Sequence, residues 1–107
     1  MRIVIAEDAA VIRAGLAEVL ADRGHEIVAA VGDAEALLAA VAEHKPDVAI
    51  VDVRMPPDHT DEGLRAALKI RRSQPDVGIL VFSRVKTVLR CQTVFYLSIL
   101  TVLVTSP

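Results

Sequence analysis

Three acidic side chains and one hydroxyl stand directly after short apolar runs in this chain, and their types suit phosphoryl chemistry. Glu7 and Asp8 follow Arg2-Ile3-Val4-Ile5-Ala6, Asp52 follows Val48-Ala49-Ile50-Val51, and Ser83 follows Val77-Gly78-Ile79-Leu80-Val81-Phe82. Carboxylates brought close together repel one another or hold protons unless a cation compensates them. Oxygen ligands without a Cys or His cluster select a hard ion, and Mg²⁺ commonly takes one or two carboxylates and fills its shell with water and phosphate oxygens. Such an ion would neutralise an incoming phosphoryl group and let one carboxylate act as nucleophile, with Ser83 donating a hydrogen bond to a phosphoryl oxygen. Each residue alone has a plainer use, because a strand-terminal Asp or Ser often caps the next helix or tightens a turn. Three acids and a hydroxyl at the ends of separate apolar runs favour a shared pocket.

Bringing them together requires strands that end on one side, and the hydrophobic pattern supplies these. Arg2 to Ala6 is a short β-branched run, as in a strand covered on both faces. Ala10 to Arg23 has apolar residues near helical spacing and is stopped by Gly24. Ile27 to Val31 is strand-like again. Asp33 is placed to N-cap a helix carrying Leu37, Leu38 and Val41, which ends before Pro46. Val48 to Val51 reads as a third strand, and Met55-Pro56-Pro57 as a loop. Gly63 to Ser73 reads as a helix and Val77 to Phe82 as a fourth strand. Strands alternating with helices imply right-handed crossovers and a doubly wound parallel sheet in a three-layer α/β/α fold. Ligand sites in such sheets gather beyond the carboxyl ends of the strands. If the first and third strands are neighbours, Glu7, Asp8 and Asp52 converge there.

The composition narrows the alternatives. With 107 residues the chain has room for one domain. Its 53 % hydrophobic and 24 % charged content describes a globule, and a net charge of −2 gives no basic field for nucleic acid. The lone Cys91 excludes an internal disulfide framework or a Cys-rich zinc site, and reads as a packing residue. His25, His44 and His59 lack metal-ligand spacing and are expected to face solvent. Met1-Arg2-Ile3 does not open like a signal peptide, so a cytoplasmic location is expected. No G-x-G-x-x-G follows the first strand, which argues against a dinucleotide site.

As a set, Ile3-Val4-Ile5-Ala6-Glu7-Asp8, then Val48 through Asp52 to Val53-Arg54-Met55-Pro56, then Ile79-Leu80-Val81-Phe82-Ser83 resemble the receiver domain of two-component response regulators. The loop Arg54 to Gly63 is similar to receivers found ahead of LuxR-type DNA-binding domains. The likeness covers residues 1–83. It implies a flavodoxin-like fold, a five-stranded parallel sheet in the order 2-1-3-4-5 with five helices. It also implies that Asp52 accepts a phosphoryl group from a histidine kinase, and that Glu7, Asp8, Asp52 and the backbone carbonyl of Arg54 hold Mg²⁺. Ser83 would be the switch hydroxyl, and Met55-Pro56 would shape the loop beside the acceptor. The expected role is a signalling domain, not an enzyme. Two other readings stay open: a small Mg²⁺-dependent phosphohydrolase using Asp52 as nucleophile, and a non-phosphorylated interaction module. Arg54, where a hydrolase would carry a second acid, weighs against the first.

Beyond Ser83 the chain leaves the family pattern. Residues before 84 carry 9 basic and 14 acidic side chains; residues 84–107 carry Arg84, Lys86 and Arg90 and no acid, glycine or alanine. The family's C-terminal lysine, which would pair with phosphoryl oxygens, falls by counting at Val104 or Thr105, and Lys86 comes too early. The chain therefore divides into a receiver-like core, 1–83, and an atypical apolar tail, 84–107. Either the tail is a truncated or frame-shifted end, or it is a variant in which Val94 to Val104 supplies the last strand. The uncharged stretch from Cys91 is shorter than the roughly 20 apolar residues of a spanning helix, so no membrane anchor is expected. No helix-turn-helix fits in the tail, so direct nucleic-acid binding is not expected. Apolar surface bared by a missing strand is worth about 25 cal/mol per Å², hence a homodimer or strand-exchanged oligomer is expected.

Overall fold

The computed structural model describes residues 1–56 and 60–82 in full, and the backbone of residues 85–89, 92–96 and 102–104. Three β-α-β steps dominate. β1 (Arg2–Ala6) leads to α1 (Ala10–Asp22), β2 (Glu26–Val31) to α2 (Ala34–His44), and β3 (Val48–Asp52) to α3 (Glu62–Ser73) and β4 (Gly78–Phe82). β5 (Val85–Leu89) and β6 (Gln92–Tyr96) pair antiparallel as a separate two-stranded sheet, and β7 (Val102–Val104) follows.

The main sheet runs β2-β1-β3-β4-β7, so β1 and β3 are neighbours, with Ile5 opposite Ile50 and Ala6 opposite Val51. The first four strands are parallel. The fifth position differs from the all-parallel sheet that the resemblance implies: β7 pairs antiparallel with β4, Val104 opposite Ile79. A parallel fifth strand needs a crossover of a dozen or more residues, usually a helix, and here the β5–β6 hairpin occupies much of the intervening chain. Val94, expected to begin the last strand, belongs to β6 instead.

Period-2 alternation gives the sheet two apolar faces. Val4, Ala6, Ala49, Val51, Ile79 and Val81 pack under α2 and α3 with Leu37, Val41, Ala67 and Ile70. Ile3, Ile5, Ile50 and Phe82 form the opposite face, met by Leu16, Ala17 and Leu20 of α1. The turns follow local chemistry. Gly24 takes φ +90° after α1, a conformation that costs glycine least. Lys45 closes α2 in the left-handed region, because Pro46 disfavours helix at the residue before it. The Arg2 guanidinium donates to the exposed His44 carbonyl at 2.7 Å, satisfying one of that helix's last acceptors. His25 and His44 are partly exposed, and His25 Nδ1 lies 3.3 Å from the Met1 amino group. His59 lies outside the described residues.

Candidate functional site

β1 and β3 end side by side, and their terminal acids meet. One carboxylate oxygen from each of Glu7, Asp8 and Asp52 falls within 4.8 Å of the other two. Glu7 and Asp52 are buried and Asp8 is half-buried. Among the described residues this is the only such cluster of acidic, His or Cys side chains. Three carboxylates in so small and dry a space are strongly unfavourable unless a positive charge or hydrogen bonds compensate. The donor set, all oxygen and no sulfur or imidazole, fits a hard divalent ion.

Glu7 and Asp52 are held by the backbone around them. The Glu7 N–H donates to the Val31 carbonyl at 2.9 Å, extending the β1–β2 ladder by one bond beyond Ala6. Glu7 Oε1 accepts from the Ala9 N–H at 3.2 Å. Asp52 Oδ1 accepts from the Arg54 N–H at 3.2 Å, a tight turn that holds the side chain against its own loop. The Val53 N–H donates to the Phe82 carbonyl at 2.9 Å, tying that loop to the end of β4. Met55 is fully buried in the α2–α3 core and anchors the far side of the loop.

Two features of the site were not visible in the residue pattern. Gly63, in the first turn of α3, donates its N–H to the Val53 carbonyl at 2.9 Å, and any Cβ there would overlap the Asp52 carbonyl oxygen. Only glycine lets α3 begin this close to the end of β3. The second is Arg13, whose Nη1 donates to the Glu7 carbonyl at 2.8 Å and lies 3.5 Å from the Asp8 carbonyl. Nothing in the sequence separates Arg13 from an ordinary solvated helix arginine. Of the residues singled out earlier, Glu7, Asp8 and Asp52 converge, and Arg54 lies beside them through its backbone. Ser83 lies outside the described residues.

The response regulator receiver domain profile matches residues 3–103, reaching past residue 83, where the motif likeness stops. The transcriptional regulatory protein PdtaR of Mycobacterium tuberculosis is 42 % identical over 85 residues, 78 % of this chain and 40 % of that protein. The oxygen regulatory protein NreC of Staphylococcus epidermidis is 43 % identical over 84 residues, 78 % of this chain and 38 % of that protein. The chain thus spans about two fifths of the length of these curated relatives. A crystal structure of a LuxR-family two-component response regulator from Aurantimonas sp. SI85-9A1 superposes with a TM-score of 0.69 at 28 % identity, covering 77 % of this chain and 57 % of that one. No helix among the described residues is long and apolar enough to cross a membrane. With its four parallel strands, its acid triad and these likenesses, the chain belongs to the response regulator receiver domain family, a family of signalling regulators and not of enzymes, and is homologous to the LuxR-type transcriptional regulators.

Proposed function

We propose that this chain accepts a phosphoryl group on Asp52 from a histidine kinase, in a Mg²⁺-dependent relay that regulates transcription in its longer relatives. The observation that carries this reading is the convergence of Glu7, Asp8 and Asp52 within 4.8 Å at the carboxyl ends of β1 and β3. In the proposed step an Asp52 carboxylate oxygen attacks phosphorus. The bond from phosphorus to the kinase's histidine nitrogen breaks, and its electron pair stays on the imidazole. Glu7, Asp8, Asp52 and the Arg54 carbonyl are the residues that would hold Mg²⁺, which when bound supplies charge neutralisation for the phosphoryl oxygens. The turn from Asp52 Oδ1 to the Arg54 N–H orients the nucleophile, and Ser83 donates to the transferred group as the switch hydroxyl. Counting along the chain puts the family's lysine at Val104 or Thr105, and weak transmission by the phosphorylated form is part of the same proposal. The site of action is the cytoplasm.

The test is intact mass after incubation with Mg²⁺ and a small acyl phosphate, on the wild-type chain and Asp52→Asn, with circular dichroism on the same samples. A gain of one phosphoryl group in the wild type only is expected. An equal gain in Asp52→Asn, or none on a folded wild type, rejects the reading. Self-association belongs to the same proposal. It is supported by Val11 and Val19, exposed on α1 at 86 % and 52 %, and a monomeric mass by light scattering at high concentration would count against it.

A further inference from the structure

We propose that Arg13 is a positioning residue for the divalent-cation site, holding the Glu7–Asp8 loop by its main chain and so aiming both carboxylates at Asp52. The inference rests on reading the triad as a cation site.

Four observations support it. Arg13 Nη1 reaches out of α1 to the carbonyl oxygens of both acids, at 2.8 Å for Glu7 and 3.5 Å for Asp8. These bonds fix the direction in which two successive side chains leave the backbone. Gly32, at the end of β2, makes room for this, because a Cβ there would stand 3.0 Å from Arg13 Nη1. The start of α1 is also built against ordinary helix rules. Its N-cap is Ala9, with no side-chain cap and no acid in the first turn, so a cation one turn in works against the helix dipole. Finally, the Ala9 N–H at that uncapped end donates to Glu7 Oε1. The helix start and Arg13 thus both grip Glu7, one by its carboxylate and the other by its carbonyl, and Arg13 reaches Asp8 as well. Local rules broken together beside one site are what a functional constraint looks like.

A plain charge effect predicts the opposite sign. Removing a cation beside a metal site should tighten metal binding, whereas removing a positioning group should weaken it, by about tenfold or more for an outer-shell partner. The experiment is a Mg²⁺ titration of the full chain by calorimetry, with a thermal melt of each variant. Asp8→Asn should lose binding. Arg13→Ala should bind roughly tenfold more weakly, and Arg13→Lys, which keeps a charge and donors, should recover part of the loss. Gly32→Ala presses on the guanidinium tip from 3.0 Å, shifting it by a few tenths of an ångström without removing charge, and should weaken binding in the same direction by less. A purely structural role lowers the melting temperature of Arg13→Ala and leaves the affinity of the folded protein unchanged. Affinity equal to or tighter than wild type in folded Arg13→Ala overturns the inference. If Arg13→Ala does not fold, unchanged affinity in Gly32→Ala does so instead. A wild type that binds no Mg²⁺, or binds it as Asp8→Asn does, rejects the cation site itself and the inference with it, and this result is distinct from the others.

Discussion

The helices that follow β1 and β3 start differently from the helix that follows β2. α2 begins conventionally: Asp33 is extended, its Oδ1 accepts from the Ala36 N–H at 2.7 Å, and Glu35 lies in the first turn. α1 and α3 have no side-chain cap at all. Asp61, at the cap position of α3, turns outward to Arg65 at 3.0 Å. The first N–H groups of α1 and α3 point into the site instead, from Ala9 to the Glu7 carboxylate and from Gly63 to the Val53 carbonyl. β2 is an edge strand and carries none of the triad, whereas the three acids stand at the ends of β1 and β3. Where a helix start is free of the site, it is built for its own stability. Where it borders the site, its orphan donors order the loops that carry the acids.

The largest effect that separates these two kinds of start is expected at Gly63. Gly63→Ala forces a methyl group into the Asp52 carbonyl oxygen, with the Asp52 carbonyl carbon 2.8 Å and the Val53 carbonyl oxygen 3.0 Å from the same Cβ. Backbone cannot yield as a side-chain tip does, so a loss of about 3 kcal/mol in urea unfolding is expected. Mg²⁺ affinity should fall with it, because Asp52 must move. A loss under about 0.5 kcal/mol, the size of an ordinary surface substitution, would mean that α3 does not brace the acceptor. At the conventional start, Asp33→Ala should cost about 1 kcal/mol and leave both Mg²⁺ affinity and phosphorylation of Asp52 as in the wild type. A change in phosphorylation there would erase the distinction between the two kinds of start.

The same contrast explains what could be read from the sequence. The bounds of β1, the Asp33 cap and the Gly24 stop follow from patterns local to the chain: a short β-branched run, a capping residue before helical spacing, and a glycine after it. The acids at the strand ends were legible too, but their meeting also needed β1 and β3 to be neighbours. α3 begins at Glu62, one residue earlier than its apolar pattern suggests, because Glu62 reaches back to the Thr60 N–H at 2.8 Å. Gly63 and Arg13 escaped notice because their work is between elements. A glycine in a helix and an arginine on one look ordinary until the neighbouring strand end is in place. The direction of β7 was illegible for a related reason: apolar content marks a segment as strand-forming, but the path of the connection decides parallel or antiparallel pairing.

The smallest expected effect is at the other helical glycine, which is exposed, and it isolates what the buried Gly63 does. Gly15 lies within α1 with no heavy atom inside 4 Å of where its Cβ would be, and without a positive φ. Nothing in the fold requires glycine there, so Gly15→Ala should stabilise the chain by about 0.5 to 1 kcal/mol through helix propensity alone. Its Mg²⁺ affinity should match the wild type, because the substitution stiffens α1 beyond Arg13 without moving the loop that Arg13 grips. The two Gly→Ala changes, each in a helix beside the site, would then differ in sign. That difference assigns the cost at Gly63 to its contact with Asp52 and not to the replacement of glycine as such. A loss of stability at Gly15 would show instead that α1 bends or packs there in a way its open surroundings do not require.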